Sequence, residues 1–128
     1  MAASGFDVML SQVFAPTPAF SWAAYSQKAL GALVITASHN PAGYSGLKIK
    51  GAFGGSVSQD VTKQVEQKLE SGFTPPKVTP PDVTAGKIIL FDPWESYCQV
   101  LRSLVDIKAI QRAILSGQLT VFVDPMYG

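Results

Sequence analysis

The chain has 128 residues, 47% hydrophobic and only 15% charged, with a net charge of +1. That length suffices for one domain with a real core, but so few charges, against the roughly one quarter usual in soluble domains, fit a piece of a larger protein that keeps core elements without all their cover. The charge balance offers no footprint for nucleic acid, no apolar run nears the roughly 20 residues of a membrane span, and Met1-Ala2-Ala3-Ser4 begins no signal peptide, so no membrane partner and a cytoplasmic location are expected.

Phe6 to Phe14 reads as a first strand, with Phe6, Val8 and Leu10 on one face and Met9 on the other. Thr17 can cap a helix with Pro18 at its first position, and Phe20, Ala23, Ala24 and Leu30 would form its inner stripe. Ala32-Leu33-Val34-Ile35 reads as a buried strand ending near Thr36. Strand, helix and strand within about thirty residues predict a parallel pair with a right-handed crossover. Ser45-Gly46-Leu47-Lys48-Ile49-Lys50 alternates, with Leu47 and Ile49 on one face and Lys48 and Lys50 on the other, as a hairpin-like return would.

Gly51-Ala52-Phe53-Gly54-Gly55-Ser56 lacks the ending of a phosphate loop and reads as a glycine turn into a helix capped by Ser58. Val61, Val65 and Leu69 mark the buried stripe of that helix. From Gly72 to Gly86 the proline-rich chain reads as an extended surface connection. Ile88-Ile89-Leu90-Phe91 is a short strand, and Asp92-Pro93-Trp94-Glu95 starts a helix, with Asp92 as cap and Glu95 in a capping box. Trp94, Tyr97, Cys98, Leu101, Leu104 and Val105 give it a helical stripe, in which Cys98, the single cysteine, is expected as a small core residue and rules out an internal disulfide or a cysteine metal cluster. Asp106 caps a further helix with Ile107, Ile110 and Ile114 inside, ended by Gly117, and Leu119, Val121 and Val123 open a strand ending at Asp124. These elements predict a mixed α/β sandwich with an incomplete sheet.

The chemistry concentrates where the buried strand ends, at Thr36-Ala37-Ser38-His39-Asn40-Pro41. Pro41 cannot join a ladder and pushes Asn40 toward an extended or turn conformation, so Ser38 sits on a turn at a strand's carboxyl end, where ligands bind in open α/β sheets. A serine hydroxyl needs a base, a metal or a strong field to become a nucleophile, and His39 is a proton carrier near neutral pH. Hydroxyl, imidazole and the Lys48 ammonium on one rim suit a phosphate better than an acyl group, because no carboxylate or G-x-S-x-G elbow supports a hydrolase triad. By residue types alone, such a string is most often a solvated turn, and Lys48 and Lys50 the wet face of a strand.

The run Ala32 to Pro41 resembles the active-site signature of the phosphoglucomutase/phosphomannomutase family, the α-D-phosphohexomutases. Tyr44 to Lys50 resembles its continuation, with a lysine at the family's spacing from the serine, although the family commonly has Asn-Gly where this chain has Ser45-Gly46. Ala15-Pro16-Thr17-Pro18-Ala19-Phe20 is similar to the helix start ahead of the signature, and Val121 to Gly128 to the first strand and turn of the family's second domain.

The resemblance implies a three-layer mixed-sheet α/β sandwich of the phosphohexomutase domain 1 type, incomplete. Residues 1–104 would be domain 1 lacking its N-terminal part, and residues 105–128 the beginning of domain 2. It implies interconversion of hexose 1-phosphate and hexose 6-phosphate through a phosphoserine at Ser38 and a bisphosphorylated sugar, with a glucose 1,6-bisphosphate-type activator. His39 and Lys48 match positions for proton transfer and phosphate holding, and Asn40 falls to substrate or phosphate binding. Mg²⁺ would take an oxygen from the Ser38 phosphate, but the family's D-G-D-x-D-R loop, sugar loop and terminal phosphate-binding domain have no counterpart here. The expectation is therefore an inactive internal fragment, prone to self-association through uncovered apolar surface. The Thr-Ala-Ser-His-Asn-Pro form favours glucose or mannose phosphates over glucosamine phosphate, and the sugar loop would decide. The reading from another class is a non-catalytic α/β module that uses the turn to bind an anion or dock a partner.

Overall fold

A computed structural model describes residues 1–72 and 86–125. The interior of the proline-rich connection and Met126-Tyr127-Gly128 lie outside the described residues. After a 3-10 turn at Ala2–Ser4, the elements are β1 (Val8–Ser11), α1 (Thr17–Ser26), β2 (Gly31–Thr36), β3 (Gly46–Gly51), α2 (Gln59–Glu70), β4 (Ile88–Phe91), α3 (Trp94–Leu104) and α4 (Ile107–Leu115). Both parallel and antiparallel pairings occur, and the architecture is mixed α/β.

The strands form two separate pairs. β1 runs parallel to β4, with Val8 opposite Ile88 and Ser11 opposite Phe91. β2 runs antiparallel to β3, from Gly31 opposite Gly51 to Thr36 opposite Gly46. β1 and β2, expected as a parallel pair, are not bonded to each other. The partner of β1 comes from far along the chain, where Asp7 Oδ1 accepts from the Lys87 amide at 2.8 Å and the Lys87 carbonyl accepts from the Val8 amide at 2.8 Å. Periodicity reports which face a strand buries, but not which strand it pairs with.

Helix α1 packs on β2, β3 and α3. Two indoles fasten α3 to the segment around α1: Trp22 Nε1 donates to Ser96 Oγ at 2.7 Å, and Trp94 Nε1 donates to the Phe14 carbonyl at 2.9 Å. The Trp22 and Tyr25 rings pack together with centroids 5.9 Å apart. Helix α1 begins one residue before the expected point, with Pro16 at its N-cap and no side-chain cap, so Thr17 is helical and is not the cap. Asp106 caps α4 as expected, its Oδ1 accepting from the Ala109 amide at 2.8 Å. Asp92 is not the N-cap of α3: Pro93 takes that place with no side-chain cap, and Asp92, one residue further out, accepts from the Trp94 amide through Oδ1 at 2.8 Å. Glu95 makes no capping box; its Oε1 accepts from Gln99 Nε2 at 3.3 Å, one turn on. Ser58 stands at the N-cap of α2, but its side chain caps nothing.

The buried residues among those described are Ala19, Ala24, Val34 and Pro93. The expected inner stripes of α2 (Val61, Val65, Leu69) and α4 (Ile107, Ile110, Ile114) are exposed, as is Leu30, and Cys98 is half-buried. The accessible surface is 10566 Å², whereas a compact monomer of this size exposes about 6,600 Å². Leu119, Val121 and Val123 lie in no strand, and Phe122 between them is 91% exposed.

Candidate functional site: the serine turn of the β2–β3 hairpin

Strand β2 carries the chain to the site on one covered and one open face. Val34 is 7% exposed and faces the packed side, whereas Leu33 and Ile35 face outward, Ile35 at 78% exposure. Residues opposite one another in an antiparallel pair share a face, so Lys48, opposite Val34, and Lys50, opposite Ala32, project from the covered side. Thr36, next along that face, sits opposite Gly46. A Cβ on Gly46 would lie 3.2 Å from the Thr36 carbonyl, closer than side chains ordinarily come, so the Ser45-Gly46 pair keeps its glycine where the strands first meet.

Between the strands, the loop 37–45 turns twice. The Asn40 amide donates to the Ala37 carbonyl at 3.0 Å, and the Tyr44 amide donates to the Pro41 carbonyl at 2.9 Å. Ser38 has φ of +55°, in the left-handed region. For an L-residue that conformation costs roughly 1–2 kcal/mol, and such strain clusters at functional sites. The Ser38 amide donates to Thr36 Oγ1 at 3.0 Å, and Ser38 Oγ lies 3.3 Å from His39 Nδ1. Ser38, His39 and Asn40 are all exposed.

The turn therefore presents a hydroxyl beside an imidazole nitrogen, outside the carboxyl end of a strand. The structure brings Ser38 and His39 into contact. Lys48 comes to the same end of the hairpin, on the Thr36 face, and its ammonium makes no hydrogen bond or ion pair among the described residues. Lys50 donates to Ser56 Oγ at 2.9 Å and is engaged with the glycine turn at the other end. That separates two lysines that alternation alone left equivalent. A hydroxyl, an imidazole and a free ammonium can accept, hold and protonate a phosphoryl group. They do not make a Mg²⁺ site. Among the described residues no group of three His, Cys, Asp or Glu side chains could hold a metal, whereas Mg²⁺ needs near-octahedral oxygens.

Residues 1–75 match the family model for phosphoglucomutase/phosphomannomutase, alpha/beta/alpha domain I. The chain belongs to the phosphoglucomutase/phosphomannomutase family. Ser38, His39, Asn40 and Lys48 all fall within the matched residues. A phosphoglucomutase of Staphylococcus saprophyticus is 32% identical over 97% of this chain and 25% of its own length. A phosphoglucosamine mutase of a Thermotoga species is 34% identical over 61% of this chain and 18% of its own length. In three dimensions the chain is similar to a crystal structure described as a putative phosphomannomutase from Thermus thermophilus, with a TM-score of 0.68 and 34% identity over 85% of this chain and 23% of that one. The chain spans a quarter or less of the length of these relatives.

No helix among the described residues is long and apolar enough to cross a membrane.

Proposed function

We propose that this chain carries the phosphoryl-carrying turn of a phosphohexomutase, with Ser38 as the phosphoserine. The observation that supports this most is Ser38 itself. It is held at positive φ outside the end of β2 with its hydroxyl against His39 Nδ1, within the segment that matches the family. In the forward half-reaction the Ser38 Oγ–phosphorus bond breaks and a bond from a sugar hydroxyl oxygen to phosphorus forms. The sugar hydroxyl gives up its proton and Ser38 Oγ regains one, with His39 as the adjacent proton carrier. The bisphosphorylated sugar then returns its other phosphate to Ser38. Lys48 balances charge on the transferred group, since a phosphoserine carries about −1.5 to −2 at pH 7, and Asn40 offers a carboxamide to substrate or phosphate.

The substrate class is a hexose phosphate, with a glucose 1,6-bisphosphate-type activator. Among the described residues Mg²⁺ would meet the Ser38 phosphate and no group of three acidic, histidine or cysteine side chains, so the donors there do not fit it as a site. A boundary at Val105, where the backbone turns extended between α3 and α4, fits a first domain at residues 1–104 and the start of a second at 105–128.

The test places the chain in a complete enzyme. Residues 1–128 replace the aligned segment of the Staphylococcus saprophyticus relative, and a smaller graft carries residues 31–51 alone. Each is incubated with glucose 1,6-bisphosphate and Mg²⁺ and weighed intact. One phosphate that maps to Ser38 and vanishes in Ser38→Ala is expected. A folded, monodisperse graft without incorporation would overturn the reading and favour a non-catalytic module.

A further inference from the structure

We propose that Thr36 is the positioning residue of the serine turn: its hydroxyl holds the Ser38 amide and thereby sets the direction in which Ser38 Oγ is presented. This rests on the reading of Ser38 as phosphoryl carrier and adds a residue to it.

Thr36 is the last residue of β2 and is half-buried on the face shared by Val34 and Lys48. Its β-branched side chain suits a strand and has a restricted χ1. A stiff side chain on a paired strand is a better anchor than one within the loop. From there Thr36 Oγ1 accepts from the Ser38 amide at 3.0 Å, across a two-residue step. Among the described residues the Ser38 amide has no other acceptor, and its φ of +55° is disfavoured for serine. The neighbouring turn bond from the Asn40 amide to the Ala37 carbonyl closes the loop but does not fix the peptide entering Ser38. The Thr36 hydroxyl does. Turning that peptide over would swing Oγ away from His39 Nδ1 and from the Lys48 side of the hairpin. In-line phosphoryl transfer depends on such alignment.

Thr36→Val keeps the branched shape and removes the acceptor, whereas Thr36→Ser keeps the acceptor and removes the methyl. In the 128-residue chain, amide exchange at Ser38 should be about tenfold faster in Thr36→Val and near the parent value in Thr36→Ser, with exchange at Val34 and Lys48 unchanged. In the enzyme carrying the graft, phosphorylation of Ser38 by glucose 1,6-bisphosphate should slow at least tenfold in Thr36→Val, with the KM for sugar phosphate unchanged and the rate restored in Thr36→Ser. Unchanged exchange at Ser38 in Thr36→Val would overturn the proposal, and so would faster exchange with an unaltered phosphorylation rate. A graft with no phosphate on Ser38 even with Thr36 intact marks instead the failure of the phosphoserine reading, and the exchange data then report the turn alone.

Discussion

Val34 in β2 and Ile110 in α4 both occupy the inward phase of an amphipathic element, yet Val34 is 7% exposed and Ile110 is 40% exposed. The difference is not local. Both elements form where the sequence predicts them, and α4 even has the better terminus, with the Asp106 cap and Gly117 at φ of +75° just beyond its end. Val34 has α1 against its face, whereas no element packs closely on α4 among the described residues. Local rules shape a helix, but most of its stability comes from burying a face. The hairpin that carries Ser38 is therefore the well-supported half of the molecule, whereas α2 and α4 are formed but uncovered and the described segment after α4 joins no element.

The largest expected consequence lies in the uncovered half. Apolar stripes on α2 and α4, with Phe122 beyond them in the chain, favour association. Sedimentation of the 128-residue chain should give a mass that rises with concentration, and Ile110→Ser with Ile114→Ser should lower it. A strict monomer at every concentration would erase the contrast between the two halves.

The next effect lies in the hairpin. A Cβ at Gly31 would collide with the Lys50 carbonyl oxygen, a backbone atom that cannot swing aside. Gly31→Ala should therefore cost about 1–3 kcal/mol, the usual penalty of overpacking, read as an earlier denaturant midpoint with loss of the β2–β3 register. The smallest effect sharpens the comparison within one strand. Val34→Ala removes two buried methyl groups and should cost about 1.6 kcal/mol at roughly 0.8 kcal/mol each. Ile35→Ala, one residue on and facing outward, should stay within about 0.5 kcal/mol. Equal losses at the two positions would mean that the outer face of β2 is covered in solution.

What was legible in the sequence follows the same division. The serine turn could be read because its chemistry lies in one contiguous run after an apolar strand. The Asp106 cap and the glycine turn at Gly51–Gly55 could be read because each is settled within a few residues, whereas the expected Asp92 cap gives way to Pro93 at the N-cap of α3. The β1–β4 pairing could not, because strand partners about eighty residues apart leave no local trace. Thr17 failed as a cap because Pro16, fixed at φ of −59°, takes the N-cap and starts the helix one residue sooner. Leu119 to Val123 has strand composition but no ladder partner among the described residues, and composition alone does not make a strand. The hydroxyl of Thr36 was visible as a residue type, but its bond to the Ser38 amide appears only once the turn is closed.

The most direct measurement compares hexose phosphate turnover in the 128-residue chain with turnover in the enzyme that carries it as a graft. Both are supplied with glucose 1-phosphate, Mg²⁺ and glucose 1,6-bisphosphate, and the formation of glucose 6-phosphate is followed. The expectation is conversion by the graft, abolished in Ser38→Ala, and none above background by the chain alone, in whose described residues no group of three His, Cys, Asp or Glu side chains could hold a metal. Conversion by a purified monomer of these 128 residues, lost in Ser38→Ala, would contradict it.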